Sequence, residues 1–310
     1  MAISRKGRWL IGGLGAFAAL IATLVIALAL YDWNNARGYI SQKVKDRTGR
    51  DLAIGNLKVH PFSFNPKVHA EQVTLANAPW GDKQPLIVAD TLDFSFDLLS
   101  LLRGRIVFPE VTLGEAAVLL ERDKDGRRNW VLGEEQEKKA DDDAPQINRL
   151  TLNKGKLTVK DPLTDTNATL NLQTTSDATY GITFSGQGRL KGYNVKAKGA
   201  SGGLLTLMDE SVAYPMKVDA TFGDAKASFN GTVTGLATLS RIDARLTLAG
   251  SDLAKLGDAL RISLPETAAY KLSGRLLREN DFWRFSDFRG TVGASDLGGE
   301  FSVEDRKSVV

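Results

Sequence analysis

The chain contains no cysteine. That removes disulfides, thiolate nucleophiles and cysteine-based zinc sites together, and it is compatible with a periplasmic or a cytosolic setting. Histidine is nearly as scarce, with only His60 and His69, separated by Pro61 and Pro66. No His-Glu-x-x-His helix occurs, which closes one common route to metal-assisted hydrolysis. Large charge excess is missing too. Net charge is +3 over 310 residues, which argues against a dedicated nucleic-acid binder. Glu121-x-Asp123-x-Asp125-Gly126 begins like a calcium loop, but Leu132 stands where a bidentate Glu is required. Gly13-x-Gly15-x-x-Ala18 mimics a dinucleotide fingerprint but follows no strand. Asp141, Asp142 and Asp143 lie beside Lys138 and Lys139 and read as a solvated face. The reading is therefore a non-enzymatic chain with no catalytic residue, no cofactor, no metal and no nucleic-acid partner.

What the sequence does have starts with residues 10–30, LIGGLGAFAALIATLVIALAL, an uncharged and mostly apolar run. As a helix it would rise about 31 Å, close to the thickness of a bilayer core. Arg5, Lys6 and Arg8 precede it, and Trp9 and Tyr31 flank it. The nearest charges favour a cytoplasmic N-terminus, and long C-terminal domains translocate despite the later Lys43–Arg50 charges. Ala27-Leu28-Ala29 offers a cleavage site, but a signal-peptide core is about 7–15 residues. The run reads as an uncleaved anchor. Residues 1–58 hold nine Lys or Arg against three Asp, so anionic lipid is the natural counter-charge at this end.

Residues 34–48 read as a short polar helix with Ile40 and Val44 on one face and Gly49 as its stop. From Asp51 the period becomes two. Leu92-x-Phe94-x-Phe96, Leu150-x-Leu152, Ala168-x-Leu170-x-Leu172, Val218-x-Ala220-x-Phe222 and Ile242-x-Ala244-x-Leu246-x-Leu248 alternate with polar residues. Such strands have one dry and one wet face. With Gly-containing turns between them, they predict a meandering antiparallel sheet. Residues 97–104 and 251–260 are the further helix candidates, the second with Leu253, Leu256 and Leu260 on one face. Residues 134–145, EEQEKKADDDAP, read as a charged linker. Across it, residues 111–123 match residues 150–161 as a strand, a small-residue turn, a second strand and an Asp, with one residue slipped near the end. In DGRRNW, Asp125-Gly126 marks a tight turn. Asn129 and Trp130 belong to its anchor, with the Trp130 ring over the edge of the dry face.

The anchor, the short helix, NAPWG (77–81), DGRRNW (125–130), INRLTLNKGKLTVKD (147–161), residues 251–276 and FRGTVGASDLGGEFSV (288–303) occur in an order that resembles the AsmA family of envelope proteins. The resemblance implies a mainly β fold: a single N-terminal transmembrane helix, then an elongated, curved antiparallel β-groove with a few short helices. It divides the chain into tail and anchor (1–33), a first groove segment (34–133), the linker (134–145) and a continuing groove segment (146–310). It implies an inner-membrane protein with a periplasmic body, akin to bridge-like lipid-transfer proteins. Family members commonly run longer, so the chain is expected to be a fragment or a short variant. The candidate lipid-facing residues are Phe94, Phe96, Leu152, Leu170, Leu172, Phe222, Leu246 and Leu248. The implied partners are phospholipid and the inner membrane, and a second reading is a scaffold for envelope proteins. A one-sided sheet must cover its dry face, and helices are scarce here. A ~10-carbon stretch of acyl chain laid on that face would be stabilised by roughly 8 kcal/mol.

Overall fold

The computed structural model describes residues 31–133, 146–236, 238–255 and 265–304. The apolar run 10–30 and the linker 134–145 lie outside the described residues. So do Leu256 and Leu260, while residues 253–255 form a first helical turn. Among the described residues no helix is long and apolar enough to cross a membrane.

A 3-10 turn, Trp33–Asn35, leads into the helix Ala36–Thr48, which Gly49 ends in the left-handed conformation. The first strands are β1 (Leu52–Ala53), β2 (Asn56–His60), β3 (Lys67–Leu75) and β4 (Ile87–Ser95). A short helix, Leu98–Leu102, precedes β5 (Val107–Phe108) and β6 (Val111–Glu121). There follow β7 (Gln146–Ile147), β8 (Leu150–Asp161), β9 (Thr166–Thr174), β10 (Ile182–Leu190) and β11 (Tyr193–Ser201). The last strands are β12 (Tyr214–Phe222), β13 (Ala225–Thr234), β14 (Arg241–Gly250), β15 (Tyr270–Glu279), β16 (Phe282–Val292) and β17 (Ser295–Glu304). The chain is mainly β. Fifteen strands form one long curved sheet, almost entirely in sequence order, and β5 and β7 form a separate pair.

From β8 to β17 the sheet is an antiparallel meander, as the turn spacing predicts. The exception to the expected pattern is β6, which pairs with β8 in parallel. These two strands are the sequence repeat. Val111 lies beside Leu150 and Glu121 beside Lys160, with no slip between them. β5 and β7 are parallel as well, and Val107 sits beside Gln146. Unslipped register places opposite charges side by side. Glu115 pairs with Lys154, and Arg122 with Asp161 at 3.1 Å. The slip read from sequence is therefore corrected. So is the small-residue turn: each copy is one unbroken strand of eleven or twelve residues.

What looked like a turn is a change of phase. Val68, Ala70 and Val73 of β3 pack in one cluster, as do Ile54, Leu57 and Val59 on the neighbouring edge. The apolar side thus passes from even to odd positions at Gln72, whose φ is 54°. The ladders skip a pair at Gln72, at Asp90–Thr91 and at Gly114. A Cβ at Gly155 would lie 2.5 Å from the Leu152 side chain. Leu152 therefore shares a face with Gly155 although three residues separate them.

Candidate functional site

Residues paired across a ladder share a face, so the registers trace the surface of the sheet. Beginning at Leu246, the partners are Phe229, Val218, Gly199, Phe184 and Leu172. The row continues through Gly155, Ala116, Ala89 and Val73. A second row starts at Leu248 and runs through Ala227, Ala220, Ala197, Gly186 and Leu170 to Leu157 and Val118. Neither row contains a polar side chain. The opposite face reads Thr247, Ser228, Asp219, Lys198, Ser185, Asn171 and Lys156.

All eight candidate residues fall on the apolar face. Leu170, Leu172, Leu246 and Leu248 lie in the two rows. Phe222 extends them beside Val195 and Ala225, its ring 4.6 Å from that of Tyr193. Leu152 lies over Gly155 and is buried. Phe94 and Phe96 sit at the N-terminal end, 5.1 Å apart, where Phe108 contacts both. There Trp33, Ala36 and Ile40 close over the cluster of Leu57, Val68 and Ala70. Two further clusters lie at opposite ends of the later strands. One centres on Ala225 and Tyr270, the other on Val233, Ile242 and Ala244. Between them Leu170, Leu172, Phe184, Val218 and Leu246 remain half-buried, while their sequence neighbours on the wet face are mostly exposed.

Small residues make this face what it is. At Gly186 a Cβ would meet the Leu170 side chain at 2.8 Å, and at Gly199 it would meet the Phe184 ring at 3.0 Å. Large apolar side chains lean over glycine, so the face is smooth and close to the backbone. A separate cleft of about 740 Å³ lies on the polar side, between Glu115, Lys154, Lys156, Asn171, Thr183 and Ser185. Its walls mix Val88 and Ala117 with charged and polar side chains.

The DGRRNW stretch is a clasp. Gly126 takes φ 85° in the turn, and the Asp123 carboxylate accepts from the Asp125 and Arg127 backbone N–H groups. Asp125 itself projects into water, 80 % of its side chain exposed. Asn129 is completely buried. Its Oδ1 accepts from Glu121 N at 2.8 Å, and its Nδ2 donates to Leu119 O at 2.8 Å and Asn77 Oδ1 at 2.9 Å. Glu121 accepts in turn from Asn77 Nδ2 and Asp82 N. Lys160 closes the network on Asp82 at 2.7 Å. That hydrogen bond holds the Asp82 carboxyl below, and the Lys160 ammonium above, their usual ranges. Trp130 is more than one-third exposed, so the buried residue of the pair is Asn129. The aromatic partner of the turn is Trp80, whose ring lies 5.4 Å from the Arg127 guanidinium. Asn77 of the NAPWG motif serves this clasp, a role that no local signal in the sequence marks.

His69 lies on the wet face. Its Nδ1 is 2.6 Å from Asp93 and its Nε2 is 3.1 Å from Glu71. The Asp93 hydrogen bond above all raises its pKa. Among the described residues no group of three His, Cys, Asp or Glu side chains could hold a metal ion.

A family model described as AsmA family matches residues 4–273. The chain belongs to the AsmA family. Over 96% of its length it is 24% identical to the AsmA family protein YhjG of Escherichia coli (strain K12). This AsmA chain spans about half of that relative, 49%. No solved structure matches it.

Proposed function

We propose that this AsmA-family protein is held in the bacterial inner membrane by residues 10–30 and binds phospholipid acyl chains along the apolar face of its periplasmic sheet. Its role in this reading is to move or shield phospholipid during outer-membrane biogenesis, without catalysis or cofactor. The observation that carries the reading is the pair of uninterrupted apolar rows, half-buried in the middle of the sheet and flanked by packed clusters at the strand ends. A surface of that kind gains free energy when hydrocarbon covers it, at about 25 cal/mol per Å². Its partners are then lipid and the inner membrane, and it needs no partner side chain with special chemistry.

Photocrosslinkers placed singly at Leu170, Leu172 and Leu246 in the full chain test this. Lipid adducts at all three positions are the expected outcome. Protein adducts alone would replace the lipid reading with a scaffold for envelope proteins.

A further inference from the structure

At one end of the strands the chain exposes apolar side chains that no packing explains. Phe62 and Phe64, in the loop between β2 and β3, are 57% and 79% exposed. Leu99, Leu101 and Leu102 of the short helix are exposed as well, Leu102 by 84%. The two segments form one surface. Leu98 N donates to Phe64 O at 3.2 Å, and Phe96 N donates to Pro66 O at 3.1 Å. The helix is built to hold its position, because Asp97 caps it on the Leu99 and Ser100 N–H groups. Lys67, Arg103 and Arg105 stand around it, all exposed.

The described chain also begins, at Tyr31, towards this end. The turn Trp33–Asn35 lies against β2, which runs directly into the Phe62 loop, whereas the following helix lies against β1. Leu57 N donates to Asn34 Oδ1. The far end of that helix reaches the opposite strand ends, where Gly133 N donates to Thr48 O. Tyr31, its ring 5.2 Å from that of Trp33, therefore lies on the side of the exposed loops. The linker 134–145 precedes Gln146, which lies beside Val107, but alanine and Pro145 are its only apolar residues and it is rich in charge.

We propose that the Phe62–Phe64 loop and the Leu98–Leu102 helix are a second membrane contact, dipping into the headgroup layer of the bilayer that holds residues 10–30. Phenylalanine and leucine side chains enter the acyl boundary, and Lys67, Arg103 and Arg105 meet lipid phosphates, the division of labour found in interfacial helices. The contact fixes the sheet against the bilayer, with the Phe94–Phe96 end of the apolar face nearest to lipid. The inference shares the anchor with the proposed function but does not need lipid on the sheet.

Because the chain has no cysteine, single labels are simple to introduce. The full-length protein is reconstituted in phosphatidylethanolamine–phosphatidylglycerol vesicles with an environment-sensitive dye at Phe62→Cys, Leu102→Cys, Thr183→Cys or Ala18→Cys. Brominated acyl chains serve as quencher. At Phe62 and Leu102 the dye is expected to shift to the blue and to lose about half its emission to the quencher, as at an interfacial depth. Thr183, on the exposed wet face, should do neither. Water-like spectra at Phe62 and Leu102 would overturn the proposal. A blue shift without quenching would also overturn it, because protein would then cover the patch. Quenching at Ala18 reports the anchor separately, so failure of the loops and failure of the anchor give different patterns.

Discussion

Two stretches of the sheet, one at its N-terminal end and one in its middle, solve the same problem differently. At β1–β4 the apolar face is capped: the helix Ala36–Thr48 and Trp33 cover Leu57, Val68 and Ala70. Along β9–β12 the same face carries no second layer among the described residues, and Leu170, Leu172, Phe184 and Val218 stay half-buried. Composition follows the cover. The capped end uses Trp, Phe, Leu and Val. The bare stretch alternates Leu and Phe with Gly and Ala, which leaves less hydrocarbon exposed per strand. A single sheet can therefore be folded tightly at one end and remain an open surface further along.

Three measurements would break or sharpen that contrast. The largest effect is expected at the clasp beside the capped end. Asn129→Ala leaves the Glu121 N–H and Leu119 C=O without partners in a buried site, at about 1–3 kcal/mol each. A loss of about 4 kcal/mol in urea unfolding should result, and a loss below about 1 kcal/mol would remove the clasp from the account. A paired truncation comes next. Leu57→Ala, in the packed cluster, should cost about 2–4 kcal/mol, while Leu172→Ala on the bare stretch should cost under about 1 kcal/mol. Equal losses would mean that the middle of the face is packed after all.

The smallest effect concerns the wet face. Asp93 raises the folded-state pKa of His69 above 6.5, so the protonated ring is favoured by folding. Its contribution is complete below the unfolded value and disappears as pH rises through the raised folded value. For so accessible a group it stays within the ~0–1 kcal/mol typical of exposed pairs. The stability difference between the parent and His69→Gln should therefore shrink from about pH 5 to about pH 9. A difference that grows with pH would contradict the assignment.

The strands from β9 onward were the part most legible in the sequence. Ala168-x-Leu170-x-Leu172 and Ile242-x-Ala244-x-Leu246-x-Leu248 each keep one phase through a whole strand, and the structure places both patterns on one face. The earlier strands were harder to read, because β3, β6 and β8 change phase midway. GEAA in β6 and NKGK in β8 break alternation, as a turn would, and only the neighbouring strands reveal one ladder with a pair skipped at Gly114. The parallel register of β6 and β8 was hidden for a related reason. Complementary charge at Glu115–Lys154 and Arg122–Asp161 specifies it, whereas similarity of residue type invited a slip. The Asn129 network was invisible in sequence, since Asn77, Glu121 and Lys160 are brought together from three separate strands and loops.

The unslipped pairing of the duplicated strands bears on how such a protein can change size. Each strand added in register widens the ribbon by about 4.8 Å, and strands of nine to twelve residues keep the distance between its two rims nearly constant. Length and contour are thus separate inheritances: copying a unit lengthens the sheet, and only substitutions along the smooth face alter its relief.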